Sequence, residues 1–177
     1  MLSESNKTCL IVDDTRGMRV VINSWMTRAG LRCTSLDNGS EAKTYIDLHC
    51  PDVLITDIEM PLFNGLELVC WVRQSLDPKI ASLPIVVVTG LDDPKLETIL
   101  LEIGTRFVVR KPLSEEAVLS MVHLAMVSQE TPIQSSTAGD SIQSRMGTPS
   151  LIRQMAQAAM RTNFQNPTPA SEESSPG

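Results

Sequence analysis

Four short apolar runs, each leading into a polar residue of different chemistry, constrain this chain more than anything else in it. Cys9-Leu10-Ile11-Val12 leads into Asp13-Asp14, Val53-Leu54-Ile55 into Thr56-Asp57, Ile85-Val86-Val87-Val88 into Thr89, and Phe107-Val108-Val109 into Arg110-Lys111-Pro112. The runs are too short for helices and rich in β-branched residues, so they read as strands buried on both faces. Segments with helical periodicity alternate with them over residues 17–28, 40–48, 65–76, 94–103 and 114–128. Strand alternating with helix predicts an α/β fold around a parallel sheet. A further strand over 31–35 closes on Leu36-Asp37-Asn38-Gly39, a turn into a helix without candidate chemistry. Five strands suit a doubly wound sheet of order 2-1-3-4-5, whose first and third strands open a crevice at the topological switch point. That order gathers Asp13, Asp14 and Asp57 at one mouth, with Thr89 and Lys111 beside them.

Three carboxylates in one cleft repel one another, and protonation or a bound cation relieves them. An oxygen-only donor set without a nearby His or Cys selects a hard ion, Mg²⁺ or Mn²⁺, over zinc. Such an ion keeps waters and leaves room for phosphate oxygens. Asp57 could then act as a nucleophile toward phosphorus, with Lys111 as a point charge and the Thr89 hydroxyl on another phosphoryl oxygen. Taken singly, each motif also has an ordinary explanation: Asp13-Asp14-Thr15 as a helix cap, Asp57 as a loop carboxylate, Thr89-Gly90 as a strand end, Lys111-Pro112 as a solvated turn. Coincidence of all four in this order is a different matter.

The stretches Ile11-Val12-Asp13-Asp14-Thr15-Arg16-Gly17-Met18-Arg19, Ile55-Thr56-Asp57-Ile58-Glu59-Met60-Pro61-Leu62-Phe63-Asn64-Gly65, Leu83-Pro84-Ile85-Val86-Val87-Val88-Thr89-Gly90 and Lys111-Pro112 resemble the receiver domain of two-component response regulators, a flavodoxin-like fold. The similarity is strongest to the small single-domain, chemotaxis-regulator-like receivers, and it covers roughly residues 7–128. The resemblance implies that Asp57 is the phosphoacceptor, Asp14 a direct metal ligand, Asp13 an acidic neighbour reaching the metal through water, and Glu59 a ligand through its main-chain carbonyl. It further implies that Thr89 is the switch hydroxyl, Lys111 the phosphoryl-binding lysine, and Gly90 a position kept small beside the phosphoryl group. A cis Lys111-Pro112 peptide is expected, holding the ammonium over the site.

The chain departs from the family at one position that matters for switching. Where many receivers carry an aromatic residue that rotates on activation, this chain has Val108. Phe107 is adjacent, but neighbouring strand residues face opposite sides, so it does not substitute unless the strand is bulged. Asn64 replaces a frequent Asp before Gly65, and Leu113 a common aromatic after Pro112.

The expected activity is therefore a phosphoryl-accepting signalling switch, fed by a histidine kinase or phosphotransfer protein and read through protein contacts. In relatives partners read the face of the fourth helix, fifth strand and fifth helix, here roughly residues 93–128. A non-switching adaptor of the same fold is the alternative, kept open by Val108. A hydrolase turning over through an aspartyl phosphate ranks last, since haloacid dehalogenase relatives want an Asp where Glu59 stands. The expectation is thus a phosphoprotein and not a turnover enzyme, although it could dephosphorylate itself. Glu59 and Leu91 occupy positions that tune this loss in relatives.

Composition fits a receiver domain over 1–128 with an appendage. The 177 residues carry a formal net charge of −6, which argues against generic nucleic-acid affinity. The N-terminus is polar and no apolar run reaches membrane-spanning length, so neither a signal peptide nor a membrane partner is expected. Cys9, Cys33, Cys50 and Cys70 are widely spaced, read as small buried hydrophobes, and fit a reducing, cytoplasmic location. His49 and His123 lack metal-ligand partners at useful spacing. In the first helical segment Val20, Val21, Ser24 and Trp25 fall at helical spacing, and Ala29-Gly30 ends it. Residues 129–149 are mostly Gln, Ser, Thr, Gly and Pro and read as a flexible linker. Over 150–164, Ile152, Met155, Ala156, Ala159 and Met160 form the apolar stripe of a short candidate interaction helix, and 165–177 reads as a disordered tail. Such a tail is too small for a DNA-binding or enzymatic output domain.

Overall fold

The computed structural model describes residues 7–128; the linker, interaction helix and tail expected over 129–177 lie outside them. The β-branched runs form β1 (Thr8–Val12), β2 (Arg32–Leu36), β3 (Val53–Asp57), β4 (Ile85–Thr89) and β5 (Phe107–Arg110). All neighbouring pairs are parallel, in the sheet order β2-β1-β3-β4-β5 expected from the sequence. Among the described residues six helices connect and cover them: α1 (Arg16–Arg28), α2 (Gly39–His49), α3 (Gly65–Arg73), α4 (Pro78–Ala81), α5 (Pro94–Glu102) and α6 (Glu115–Val127). The fourth and fifth helices expected from the sequence are thus α5 and α6, because the four-residue α4 is too short to show a period. Asp77 caps α4 through the Lys79 amide, with Pro78 in its first turn.

The period of two along each strand divides the core. Leu10, Val12, Leu54, Ile85 and Val87 face one side, packed with α2, α3 and α5 through residues such as Ile46, Leu68, Val69, Leu96 and Leu100. Cys9, Ile11, Val53, Ile55, Val86, Val88 and Val109 face the other, against Ile22 and Met26 of α1 and Val118, Val122 and Ala125 of α6. Buried on both faces, the central strands carry no polar residue until their ends, where the site begins.

Two sequence expectations need correcting here. The buried stripe of α1 is Ile22 and Met26, joined by the half-buried Met18 and Trp25. Val20 and Val21 are 62 % and 41 % exposed. An unbroken apolar run offers two phases one residue apart, and the sheet selects the one completed by Met26. Nor are the four cysteines uniformly buried: Cys9 and Cys70 are, Cys33 is intermediate and Cys50 exposed. Cys50 closes α2 in the left-handed conformation, its amide donating to the Ile46 carbonyl.

Asn64 has a structural role that explains its tolerance before Gly65. Its side chain accepts from the Glu67 amide at 2.9 Å while Glu67 Oε2 accepts from the Asn64 amide at 3.1 Å, a reciprocal cap on α3. Gly65 is dictated by space: a Cβ there would lie 1.8 Å from the Asp57 carbonyl oxygen. The start of α3 can therefore approach the end of β3 only through glycine. No helix among the described residues is long and apolar enough to cross a membrane.

Candidate phosphoryl and metal site

The carboxyl ends of β1, β3, β4 and β5 deliver the site residues to one edge of the sheet. Asp13 directly follows β1, and its amide donates to the Leu36 carbonyl at 3.3 Å, extending the β1–β2 ladder by one step. Arg19, one turn into α1, donates to the Asp13 carbonyl at 2.6 Å and the Asp14 carbonyl at 3.1 Å, which fixes the turn carrying both acids. Thr15 occupies the cap position of α1 without a side-chain cap bond. Instead, Asp13 Oδ1 accepts from the Thr15 amide at 2.7 Å, so Asp13 supports the turn with one oxygen. Its other oxygen, Oδ2, is buried and has no hydrogen-bond partner.

Asp57 ends β3 and is 2 % exposed. Oδ1 accepts from the Glu59 amide at 3.2 Å, and Oδ2 accepts from Lys111 Nζ at 2.7 Å. Lys111 Nζ also lies 3.7 Å from Asp13 Oδ2. Each of Asp13, Asp14 and Asp57 offers an oxygen within 4.8 Å of the others. Asp14 is exposed, giving solvent an approach to an otherwise buried pair. An all-oxygen set with one open side and one orphaned buried oxygen fits a hard divalent cation. Burial first, and then the charges of Asp57 and Asp14, push the Asp13 carboxyl above its ordinary pKa, against the opposing Thr15 amide and Lys111 ammonium. Burial pulls the Lys111 ammonium down, but the bond to Asp57 and the charges of Asp57, Asp13 and Glu59 outweigh it and leave its pKa raised.

Thr89, the last residue of β4, is buried, and its Oγ1 accepts from the Leu91 amide at 3.0 Å. Gly90 follows and is exposed. Lys111 is anchored by its own amide, which donates to the Thr89 carbonyl at 2.8 Å, and the Lys111-Pro112 peptide is cis. Asp13, Asp14, Asp57, Thr89 and Lys111 therefore share one edge of the sheet. Phe107 and Val108 do not line it. Val108 packs with the α3 and α5 side, Phe107 with the α1 and α6 side, and the β4–β5 register runs without a bulge.

One participant was not legible in the sequence. The Glu59 side chain bends back so that Oε2 accepts from the Gly90 amide at 3.1 Å. A Cβ on Gly90 would lie 3.0 Å from that oxygen. The Glu59 carboxylate thus bridges the β3–α3 and β4–α5 loops beside Lys111, a contact that depends on how two loops approach. Farther out, Arg110 at the end of β5 bonds Asp92 and, at 2.6 Å, Glu97, tying the β4–α5 loop to α5.

Comparison with known proteins agrees with this geometry. The family model for the response regulator receiver domain matches residues 9–123. Among curated relatives, the DNA-binding transcriptional regulator NtrC of Klebsiella pneumoniae is 30 % identical over 135 residues, covering 72 % of this chain and 28 % of that protein. The NtrC of Escherichia coli K12 is 29 % identical over 116 residues, 66 % of this chain and 24 % of that protein. This chain thus spans about a quarter of these relatives' length. A response regulator of Chloroflexus aurantiacus superposes with a TM-score of 0.64 at 28 % identity, covering 69 % of this chain and 98 % of that one. The chemotaxis protein CheY4 of Vibrio cholerae does so with 0.63 at 25 %, covering 68 % and 99 %. The acidic cleft at the switch point of a 2-1-3-4-5 sheet and the match over 9–123 place this chain in the response regulator receiver family of two-component systems.

Proposed function

We propose that this chain is a phosphoryl-accepting switch of a two-component phosphorelay, phosphorylated on Asp57. The observation that carries the proposal is the Asp57 carboxylate itself, buried, held by Lys111 at 2.7 Å and grouped with two further carboxylates. A carboxylate oxygen of Asp57 attacks the phosphorus of a phosphohistidine or small acyl phosphate; the bond from phosphorus to the donor breaks and its electron pair leaves with the donor. Lys111 moves with its ammonium from carboxylate to phosphoryl oxygen, and Thr89 exchanges the Leu91 amide for another phosphoryl oxygen. Receiver domains bind Mg²⁺ at their acidic pocket. In this chain Asp13, Asp14, Asp57 and the Glu59 carbonyl would hold Mg²⁺ or Mn²⁺, which neutralises charge developing on the transferred group.

Phosphorylation adds charge and acceptor oxygens at Asp57, and the altered loops bias the face of α5, β5 and α6 toward one partner. The supply is a histidine kinase or phosphotransfer protein, and the output a protein contact. The division into a receiver over 1–128, a linker over 129–149, an interaction helix over 150–164 and a tail over 165–177 belongs to this proposal, as does a cytoplasmic location. A second reading, partner binding independent of phosphorylation, is favoured by Val108, which has no ring to rotate.

Intact mass after incubation with a small acyl phosphate and Mg²⁺ tests the proposal. One phosphoryl adduct is expected, absent in Asp57→Asn and without divalent cation. A parent chain that binds Mg²⁺ yet takes no adduct from several donors would select the constitutive adaptor.

A further inference from the structure

Cys9 of β1 and Cys33 of β2 are register partners on adjacent parallel strands. Strands in a sheet run about 4.8 Å apart, inside the Cα separation of roughly 4.4–6.8 Å that a disulfide spans. Their side chains leave the sheet on the same side, where Cys9 belongs to the core beneath α1 and Cys33 packs against it. The two thiols face each other across the strand pair, close enough for each to shift the other's ionisation. Thr27 Oγ1 of α1 donates to the same sulfur at 3.9 Å.

The facing Cys9 thiol, with a smaller share from Thr27, outweighs burial and brings the Cys33 thiol down to about 7. Cys9 moves the other way, raised by the facing Cys33 and by burial. The two therefore divide the labour of disulfide chemistry. Cys33, half-buried on the edge strand, is open to a small solute and supplies the thiolate; Cys9, 1 % exposed, is the adjacent resolving thiol. The remaining cysteines lack this pairing. Cys50 is exposed, its thiol pushed up by partial loss of solvent and by the nearby carboxylates, and Cys70 is buried and pushed up to about 11.

We infer that Cys9 and Cys33 form an oxidisable dithiol, a modification site that a hydroperoxide converts to an intramolecular disulfide joining β2 to β1. The Cys33 thiolate attacks one peroxide oxygen; an S–O bond forms, the O–O bond breaks, and the second oxygen leaves with a proton as water or alcohol. The Cys9 sulfur then attacks the Cys33 sulfenic sulfur. The S–S bond forms, the S–O bond breaks, and the oxygen leaves as water carrying the Cys9 proton. Two electrons pass from the thiols to the peroxide. The product fastens the edge strand to the strand that delivers Asp13 and Asp14, and it does not depend on whether Asp57 is phosphorylated.

The test uses the full chain with Cys50→Ser and Cys70→Ser, reduced, exposed to hydrogen peroxide, alkylated and mapped as peptides by mass spectrometry. A cross-linked peptide containing Cys9 and Cys33, lighter by two hydrogens and released by dithiothreitol, is expected in the monomer. The rate should climb as pH rises through about 7. Cys9→Ser should leave a Cys33 sulfenic acid that dimedone traps, and Cys33→Ala should leave Cys9 reduced, each with the parent's circular dichroism. Cys33 advancing to sulfinic acid while Cys9 stays free, cross-links only between chains, or both thiols surviving in the folded protein would each overturn the inference.

Discussion

Lys111 places a positive charge beside the three carboxylates that would hold a divalent cation. Its ammonium is 2.7 Å from Asp57 Oδ2 and 3.7 Å from Asp13 Oδ2, the orphaned oxygen. Since those acids hold its pKa up, it stays charged at neutral pH and would repel an ion that the same acids attract. Lys111→Ala should therefore tighten Mg²⁺ binding by roughly tenfold, equivalent to about 1.4 kcal/mol, while lowering the yield of phosphoryl adduct. Isothermal titration of parent and variant measures the first effect. Unchanged affinity would mean that the ammonium swings clear of the ion at no cost. The five side chains of the site were legible in the sequence because each sits at a strand's end, where a doubly wound sheet must present it. The Glu59 bridge to Gly90 and the Cys9–Cys33 pair were not, because each depends on tertiary approach: one on how two loops fold, the other on a register shared by two strands.

At the scale of elements, Asp52 joins the start of β3 to the start of β1. Its carboxylate accepts from Lys7 Nζ at 2.8 Å, the Thr8 amide at 2.7 Å and Thr8 Oγ1 at 2.9 Å. Burial pushes its pKa up, but those bonds, led by Lys7 and the Thr8 amide, outweigh it and leave the value lowered. A lowered carboxyl pKa contributes stability that is complete above the unfolded value and lost as pH falls through the folded one. Asp52→Ala should thus cost about 1–2 kcal/mol in urea unfolding at pH 7, and the gap should close in acid once the parent's carboxyl is protonated. A gap that persists there would assign the effect to packing. Nothing in the sequence pairs Asp52, just before β3, with Thr8 at the start of β1. The α4 turn was missed for another reason: Pro78-Lys79-Ile80-Ala81 is too short to show a period, and its one local signal was the Asp77 cap before Pro78. In α1 the period was visible but its phase was not, since Val21 with Trp25 and Ile22 with Met26 fit a helix face equally well until the sheet is in place.

Over the whole molecule, the acidic cleft sets stability against function. Asp13 is buried at the end of β1 with one oxygen that takes no hydrogen bond, and burial together with Asp57 and Asp14 raises its pKa. For a carboxyl raised in this way, the folded state holds its proton more tightly than the unfolded state. Stability is then greatest below the unfolded value, near 3.8, and declines as pH rises through the folded one. At neutral pH without a divalent cation the full penalty applies. Asp13→Asn retains an oxygen for the Thr15 amide and removes the charge, so it should unfold at a higher urea concentration than the parent at pH 7. The advantage should shrink as the pH is lowered toward 3.8 and the parent's own carboxyl becomes neutral. Adding Mg²⁺ should then reverse the order, because binding stabilises the folded parent by RT ln(1 + [L]/Kd) and the variant has lost a charged member of the set. Urea titrations at several pH values, with and without Mg²⁺, separate the two effects. A variant weaker than the parent at every pH without metal would show that Asp13 is held for the fold and not for the ion, and the cleft would then need another account of its unpartnered oxygen.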